Sequence, residues 1–482
     1  MTSFREIRAR RLAAETGTLH KQADLAVALC YPSPYRVGMS SLGFQSIYRG
    51  LHALPGTTAE RAFLPDDVGE TRRLSEDLCT YESGRPVGDF PVVAFSLASE
   101  LELAGVVTCL DLAGIPALAA ERAAHVRAFP LVVVGGPLTF SNPVPVGPFA
   151  DVIVMGEADE LLPSLVNRLR ESPAREALLH DLARQPGFYV PSLHGETPPA
   201  IAIATDDCLP AYAQITTPHA ELASMFLIEA ERGCSRGCAY CVLRRSTGRG
   251  MRPVAPERLL SFIPAQARRV GLVGAAVTDH PALPEILRAL VDAGREVGVS
   301  SLRADRLDHD LVRLLARGGY RTLTTAADGA SQRLRDQVDR HTQAEDLLRA
   351  ARLCRDHGMA LLKLYVLIGL PGETAADIDE LARLALDLAG LAPKLSLTVS
   401  PFVAKRNTPL DRQPFADIAS LDEKVDFLRR QLRGRVHLGG DPPKWAWVEY
   451  RLAQGGFAEG LAAAQAARAG GGFAAWRRAL EG

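Results

Sequence analysis

Cys234, Cys238 and Cys241 are spaced C-x3-C-x2-C in the run Arg232-Gly233-Cys234-Ser235-Arg236-Gly237-Cys238-Ala239-Tyr240-Cys241. The run follows directly on the apolar stretch Phe226-Leu227-Ile228. Three thiolates on one tight loop can ligate three irons of a four-iron, four-sulfur cluster and leave the fourth iron without a protein ligand. An open iron can be bound by a small molecule that chelates through an amine and a carboxylate. Competing uses are a zinc site or buried free thiols, but zinc usually takes four ligands in paired spacings, and no second C-x2-C pair exists. Cys30, Cys79, Cys109, Cys208 and Cys354 are scattered, and the basic opening Phe4-Arg5-Glu6-Ile7-Arg8 lacks the apolar core of a signal peptide. A disulfide framework is not expected.

With an aromatic residue, Tyr240, before the last cysteine, the pattern resembles the signature of the radical S-adenosylmethionine superfamily. The resemblance implies a [4Fe–4S] cluster on Cys234, Cys238 and Cys241 that binds S-adenosylmethionine and cleaves it reductively to a 5′-deoxyadenosyl radical. It also implies an external one-electron reductant of flavodoxin or ferredoxin type and a small-molecule or peptide substrate. In such enzymes the cofactors carry the hard chemistry and the protein orients them.

The elements that must position this loop are six apolar strand candidates, 224–230, 270–277, 296–302, 320–326, 360–368 and 395–401, with helical spacing between them. Six βα units predict a partial parallel barrel, (β/α)6 and TIM-like, with its chemistry at the carboxyl ends of the strands. After the second strand, Gly274 and Ala275 form a small-residue turn whose backbone suits a methionyl amine, and Asp279 reads equally well as a helix cap. After the third, Ser301 and Arg303 offer a hydroxyl and a guanidinium to a ribose and a carboxylate. Lys363 lies inside an otherwise apolar strand and must face the barrel interior or be buried unpaired; a cofactor contact and a structural ion pair both satisfy that. Gly369-Leu370-Pro371-Gly372-Glu373-Thr374 is similar to the turn that closes the adenine site in radical enzymes. Asp328 stands where a related subgroup has glutamate, which implies a ribose contact one methylene shorter.

Upstream, strand candidates 25–31, 91–97, 131–137 and 151–157 alternate with helical stretches near 41–54, 100–114 and 159–171. This predicts a doubly wound, Rossmann-like α/β domain. It resembles the cobalamin-binding domain that precedes the radical core in many such enzymes, with Gly135, Gly136 and Gly156 at late-strand turns where a flat ligand would approach. The family's D-x-H-x-x-G element appears as Ser33-Pro34-Tyr35-Arg36-Val37-Gly38: Gly38 is kept and Tyr35 replaces the cobalt-coordinating histidine. Either cobalamin binds without a protein ligand to cobalt, or the domain keeps the fold without the cofactor.

The expected division is a cobalamin-binding-like domain over 1–195, a linker over 196–222, the radical core over 223–410 and a helical C-terminal region over 411–482. The chain has 482 residues, 47% hydrophobic and 23% charged, which suits two or three globular domains. Lys and Arg number 55 against 56 Asp and Glu, a net charge of −1, so no global basic field points to nucleic acid. No apolar run reaches bilayer length, and a cytoplasmic enzyme is expected. The resemblance makes cobalamin-dependent methyl transfer to an unactivated carbon the leading reaction. The rivals are cobalamin-independent rearrangement or dehydrogenation, methylthiotransferase-like sulfur insertion with a second cluster on Cys30, Cys79 and Cys109, and a binding protein that retains only the fold.

Overall fold

Short apolar strands alternating with amphipathic helices produce two separate parallel arrangements in the computed structural model, which describes residues 4–125, 128–172, 174–243, 248–300 and 302–482. The chain divides into two compact units, Met1–Met225 with Arg451–Gly482, and Phe226–Tyr450.

In the first unit, β1 (Leu25–Tyr31), β2 (Thr57–Phe63), β3 (Val92–Ser96), β4 (Leu131–Gly135) and β5 (Val152–Val154) run parallel, and β6 (Phe188–Tyr189) closes one edge antiparallel. The order β2-β1-β3-β4-β5-β6 reverses direction between β1 and β3, which is the doubly wound topology. Strands covered on both faces are apolar throughout, as Ala28-Leu29-Cys30-Tyr31 shows. Strand β2 escapes that pattern because Glu60 and Arg61 interrupt it. Arg61 is fully buried, and its guanidinium is matched by Glu15 at 2.8 Å and Glu82 at 2.6 Å. Two carboxylates on one fork make burial of that charge tolerable, whereas removing either partner would leave an uncompensated ion.

The residues expected to form a linker belong to this unit. Gly156 bridges Ala202, Thr16 bridges Thr216, and the Ile215 N–H donates to Gln45 at 2.7 Å. The expected C-terminal region is divided as well, since residues from Arg451 onward belong to the first unit. The connection from β4 to β5 contains only the short turns Pro137–Phe140 and Val144–Phe149, where a parallel crossover ordinarily carries a helix. The helix Phe457–Arg468 packs there instead, against Val144–Phe149 and the crossover helix Leu103–Leu112. Its buried face is Gly460, Ala462, Ala463 and Ala466, so close that a Cβ on Gly460 would lie 2.1 Å from the Pro145 carbonyl oxygen.

In the second unit, β7 (Phe226–Glu229) leads into a small antiparallel pair, β8 (Glu231–Arg232) with β9 (Arg252–Pro253). Then follow β10 (Arg269–Val273), β11 (Glu296–Val299), β12 (Thr322–Ala326), β13 (Leu361–Ile368), β14 (Leu395–Pro401) and β15 (His437–Gly440). They form two parallel arcs, β11-β10-β7 and β12-β13-β14-β15. The six expected strands are present and β15 is a seventh. Its sequence His437-Leu438-Gly439-Gly440 has no apolar run, and Gly440 is required because a Cβ would lie 1.8 Å from the Val399 carbonyl oxygen. Among the described residues no helix is long and apolar enough to cross a membrane.

Candidate active site

The cysteine loop leaves β7 through Glu229, whose carboxylate takes a bidentate pair from Arg232 at 2.7 and 2.8 Å. Gly233 then turns the chain with φ 88°, a conformation glycine reaches without strain. The loop is fastened at three places. Ser235 and Arg236 donate to Asp279 beyond β10 at 2.9 and 2.8 Å. The Ala239 N–H donates to the Val338 carbonyl at 3.0 Å, and the Tyr240 hydroxyl donates to Asp328 Oδ2 at 2.8 Å. Asp279 is therefore the anchor of the loop and not a helix cap; the next helix, Leu283–Asp292, starts from Ala282. Burial alone would raise the Asp279 carboxyl, but hydrogen bonds from Arg236 and Ser235 and the charge of Arg303 outweigh it and hold it at about 2.

Above the strand ends lies a cavity of about 400 Å³, lined by Cys234, Cys238 and Cys241 together with Tyr240, Ala275, Arg303, Thr325, Asp328, Arg340 and Tyr365 among others. The cysteines rim this space, and among the described residues no three His, Cys, Asp or Glu side chains converge as a single ion would require. Three thiols spread around a cavity suit a polynuclear cluster. Burial raises the thiols of Cys234 and Cys241, while the Arg236 N–H, 3.4 Å from the Cys234 sulfur, opposes that shift at Cys234. Metal binding would displace these protons. The donor set also fits S-adenosylmethionine. Arg303 is 4% exposed and its Nη1 has no hydrogen-bond partner, nor has the buried Thr325 hydroxyl. Both line the cavity. An unpaired buried guanidinium nitrogen suits a carboxylate, and an unpaired hydroxyl suits a ribose.

The other expected contacts are distributed as follows. Ala275 lines the cavity, and the adjoining Gly274 carbonyl accepts from Ser300 at 2.7 Å. Ser301 lies outside the described residues. Asp328 lines the cavity, but its Oδ2 is shared by Tyr240 and by Arg340 at 2.7 Å. Lys363 shares the less buried face of β13 with Tyr365, its Nζ 4.8 Å from the centre of that ring. Gly369, φ 78°, does not line the cavity; it donates to Glu373, which Lys424 pairs at 2.8 Å, and this fixes the turn. Arg236 and Arg340 were not anticipated. Arg236 sits inside the cysteine motif and carried a signal; Arg340, far from any motif, carried none.

Of the positions expected near cobalamin, in the first unit, Tyr35 and Gly38 are buried and Gly135, Gly136 and Gly156 are partly exposed. Tyr35 is 0% exposed, stacks on Tyr81 and donates to Glu15 at 2.6 Å, and burial drives its hydroxyl pKa upward. A Cβ on Gly38 would strike the Phe63 ring at 2.6 Å, one on Gly136 the Leu97 carbonyl oxygen at 2.5 Å, and one on Gly156 the Ala202 carbonyl oxygen at 2.3 Å. A Cβ on Gly135 would make only ordinary contact with Val154. Three of these glycines thus serve the chain's own close packing, and Tyr35 presents no atom to a cobalt. The residues present do not fit a corrinoid held by a protein ligand on the metal, and no step below is routed through one.

Two family profiles match the chain: radical SAM proteins, N-terminal, over residues 43–191, and the radical SAM superfamily, over residues 228–385. The chain belongs to the radical S-adenosylmethionine superfamily. The cofactors of this superfamily are the [4Fe–4S] cluster and S-adenosylmethionine, which agrees with the donor set around the cavity. This radical enzyme is 28% identical over 313 residues to an uncharacterized protein of Methanocaldococcus jannaschii, covering 63% of this chain and 66% of that one. It is 29% identical over 181 residues to ribosomal protein uS12 methylthiotransferase RimO of Desulfosudis oleivorans, covering 34% of this chain and 40% of RimO. The chain therefore matches only part of each relative's length. In fold it is similar to TsrM, a radical S-adenosylmethionine methyltransferase from Kitasatospora setae with cobalamin and a [4Fe–4S] cluster bound (TM-score 0.52, 15% identity, 80% of this chain and 73% of TsrM). It is also similar to OxsB, a cobalamin-dependent S-adenosylmethionine radical enzyme (TM-score 0.52, 14% identity, 75% of this chain and 52% of OxsB). The radical SAM core and the cobalamin-binding-like N-terminal fold are both present in this chain.

Proposed function

We propose that this radical enzyme transfers a methyl group to a carbon of a small-molecule or peptide substrate, with Cys234, Cys238 and Cys241 holding the cluster. The observation that carries the proposal is the cavity lined by the three cysteines and by Arg303, whose Nη1 is buried without a partner. Bound there, the cluster and S-adenosylmethionine would supply one-electron cleavage of a carbon–sulfur bond and a carbon radical that takes hydrogen from substrate; a second S-adenosylmethionine would supply the methyl group and leave as S-adenosylhomocysteine, with a second electron from the same external donor. Arg303 receives the methionyl carboxylate, the Thr325 hydroxyl a ribose hydroxyl, and Tyr240 is held against the loop by Asp328. An external one-electron donor of flavodoxin or ferredoxin class reduces the cluster, which fits a cytoplasmic setting. The fold likeness to TsrM supports the methyl-transfer class. Because Tyr35 is sealed in the core, the chain offers no ligand to a cobalt from that position. Anaerobic reconstitution followed by product analysis tests the reading: methyl transfer yields both 5′-deoxyadenosine and S-adenosylhomocysteine, and 5′-deoxyadenosine alone would refute the methyl-transfer class.

The similarity to RimO favours sulfur insertion as a second reading. Cys30 and Cys109 count against it, since both are fully buried with thiols pushed up by burial, as inert core cysteines are. Iron content separates the two, about four per chain for one cluster and about eight for two.

A further inference from the structure

Arg340 occupies the segment Asp339-Arg340-His341, whose flanking residues both hold left-handed backbone, φ 53° and 55°. Asp328, its partner, does the same at φ 59°. Non-glycine residues keep that conformation only where the surroundings over-determine it, and such residues cluster at working sites. The bond from Ala239 N–H to Val338 fastens the segment to the cysteine loop. There the Arg340 Nε pairs with Asp328 Oδ2 at 2.7 Å, and Nη2 donates to the Ala326 carbonyl at 3.2 Å. Arg340 and Asp328 line the same cavity as Cys238. The side chain is 12% exposed, so water screens it little.

We propose that Arg340 and Asp328, paired on the wall of the cavity that the three cysteines line, set the reduction potential of the cluster, with Arg340 supplying positive charge beside it and Asp328 offsetting that charge. The inference rests on the reading that Cys234, Cys238 and Cys241 ligate that cluster. Reduction adds one electron from the external donor and makes the cluster more negative. A cation beside the cluster favours the reduced form, and a carboxylate beside it disfavours it. Arg340 is a positioning and tuning residue, and the two members of the pair act with opposite sign.

The test uses the full chain, reconstituted anaerobically, with iron quantified before a redox titration followed by electron paramagnetic resonance. Arg340→Gln is expected to lower the midpoint potential and Asp328→Asn to raise it. The double variant D328N/R340Q should return toward the parent, and Arg340→Lys, which keeps the charge, should shift least. A purely structural role would move the two single variants together or not at all, and either result overturns the proposal. If Arg340→Gln takes up no iron, the upward shift in Asp328→Asn decides alone. A parent chain without iron would instead overturn the cluster reading, and with it the pair.

Discussion

Arg303, a residue of the cavity lining, donates from Nη2 to Asp305 Oδ2 at 2.8 Å while Nη1 of the same guanidinium stays buried and unpaired. One edge of the fork is fixed by the protein and the other is left for a ligand. Arg303→Met should weaken S-adenosylmethionine binding about 10- to 100-fold, the loss expected for a hydrogen bond to a charged group. Titration calorimetry on the anaerobic, iron-loaded chain reads this directly. Unchanged affinity would place the carboxylate elsewhere.

Replacement of Cys234, Cys238 or Cys241 by alanine should each reduce iron from about four per chain toward zero. Cys30→Ala and Cys109→Ala should leave it unchanged, because their thiols lie in the first unit's core. Colorimetric iron analysis of the five variants checks both halves.

Legibility in the sequence followed the kind of interaction each residue makes. The cysteine loop and the apolar strands were readable because ligand spacing and continuous apolar runs are local properties. Strand β2 was not, because Arg61 is tolerable only through Glu15 and Glu82, distant in sequence. Arg340 was hidden for the same reason: its partners are Asp328 and the Ala326 carbonyl. Tyr35 was legible as a departure from the histidine pattern, but its burial against Tyr81 and Glu15 emerged only from the packing.

Glu231 is 1% exposed, accepts from the Ala276 N–H at 2.7 Å through one oxygen, and has no partner for the other. Burial raises its carboxyl from 4.5 to about 7. The folded state then binds a proton that the unfolded state releases, so this group's stabilisation is present below pH 4.5 and is lost as pH rises through 7. The loss is on the order of 3 kcal/mol. Glu231→Gln, which mimics the neutral acid, should remove that part of the slope. Urea unfolding of the apo chain at acidic and mildly alkaline pH compares the two, and parallel slopes would contradict the assignment.

Tyr35→His restores the residue type of the cobalt-binding pattern at a fully buried position. It should cost about 2–4 kcal/mol through the lost ring packing and the unpaired Glu15 oxygen. Incubation with hydroxocobalamin should give no imidazole–cobalt absorption signature in this variant. Appearance of that signature would show that the loop after β1 opens.

The helix Phe457–Arg468, seated where a crossover helix is missing, means that the first unit of the chain is completed by its last residues. During synthesis the sheet formed by residues 25–154 waits, with the Leu103–Leu112 face uncovered, until the whole radical core has been translated. The first unit therefore cannot be completed before the residues of the second have been synthesised. Fragments ending at residue 225 should therefore be sticky and chaperone-dependent, whereas a permuted chain that begins at Arg451 would make the same unit without the wait.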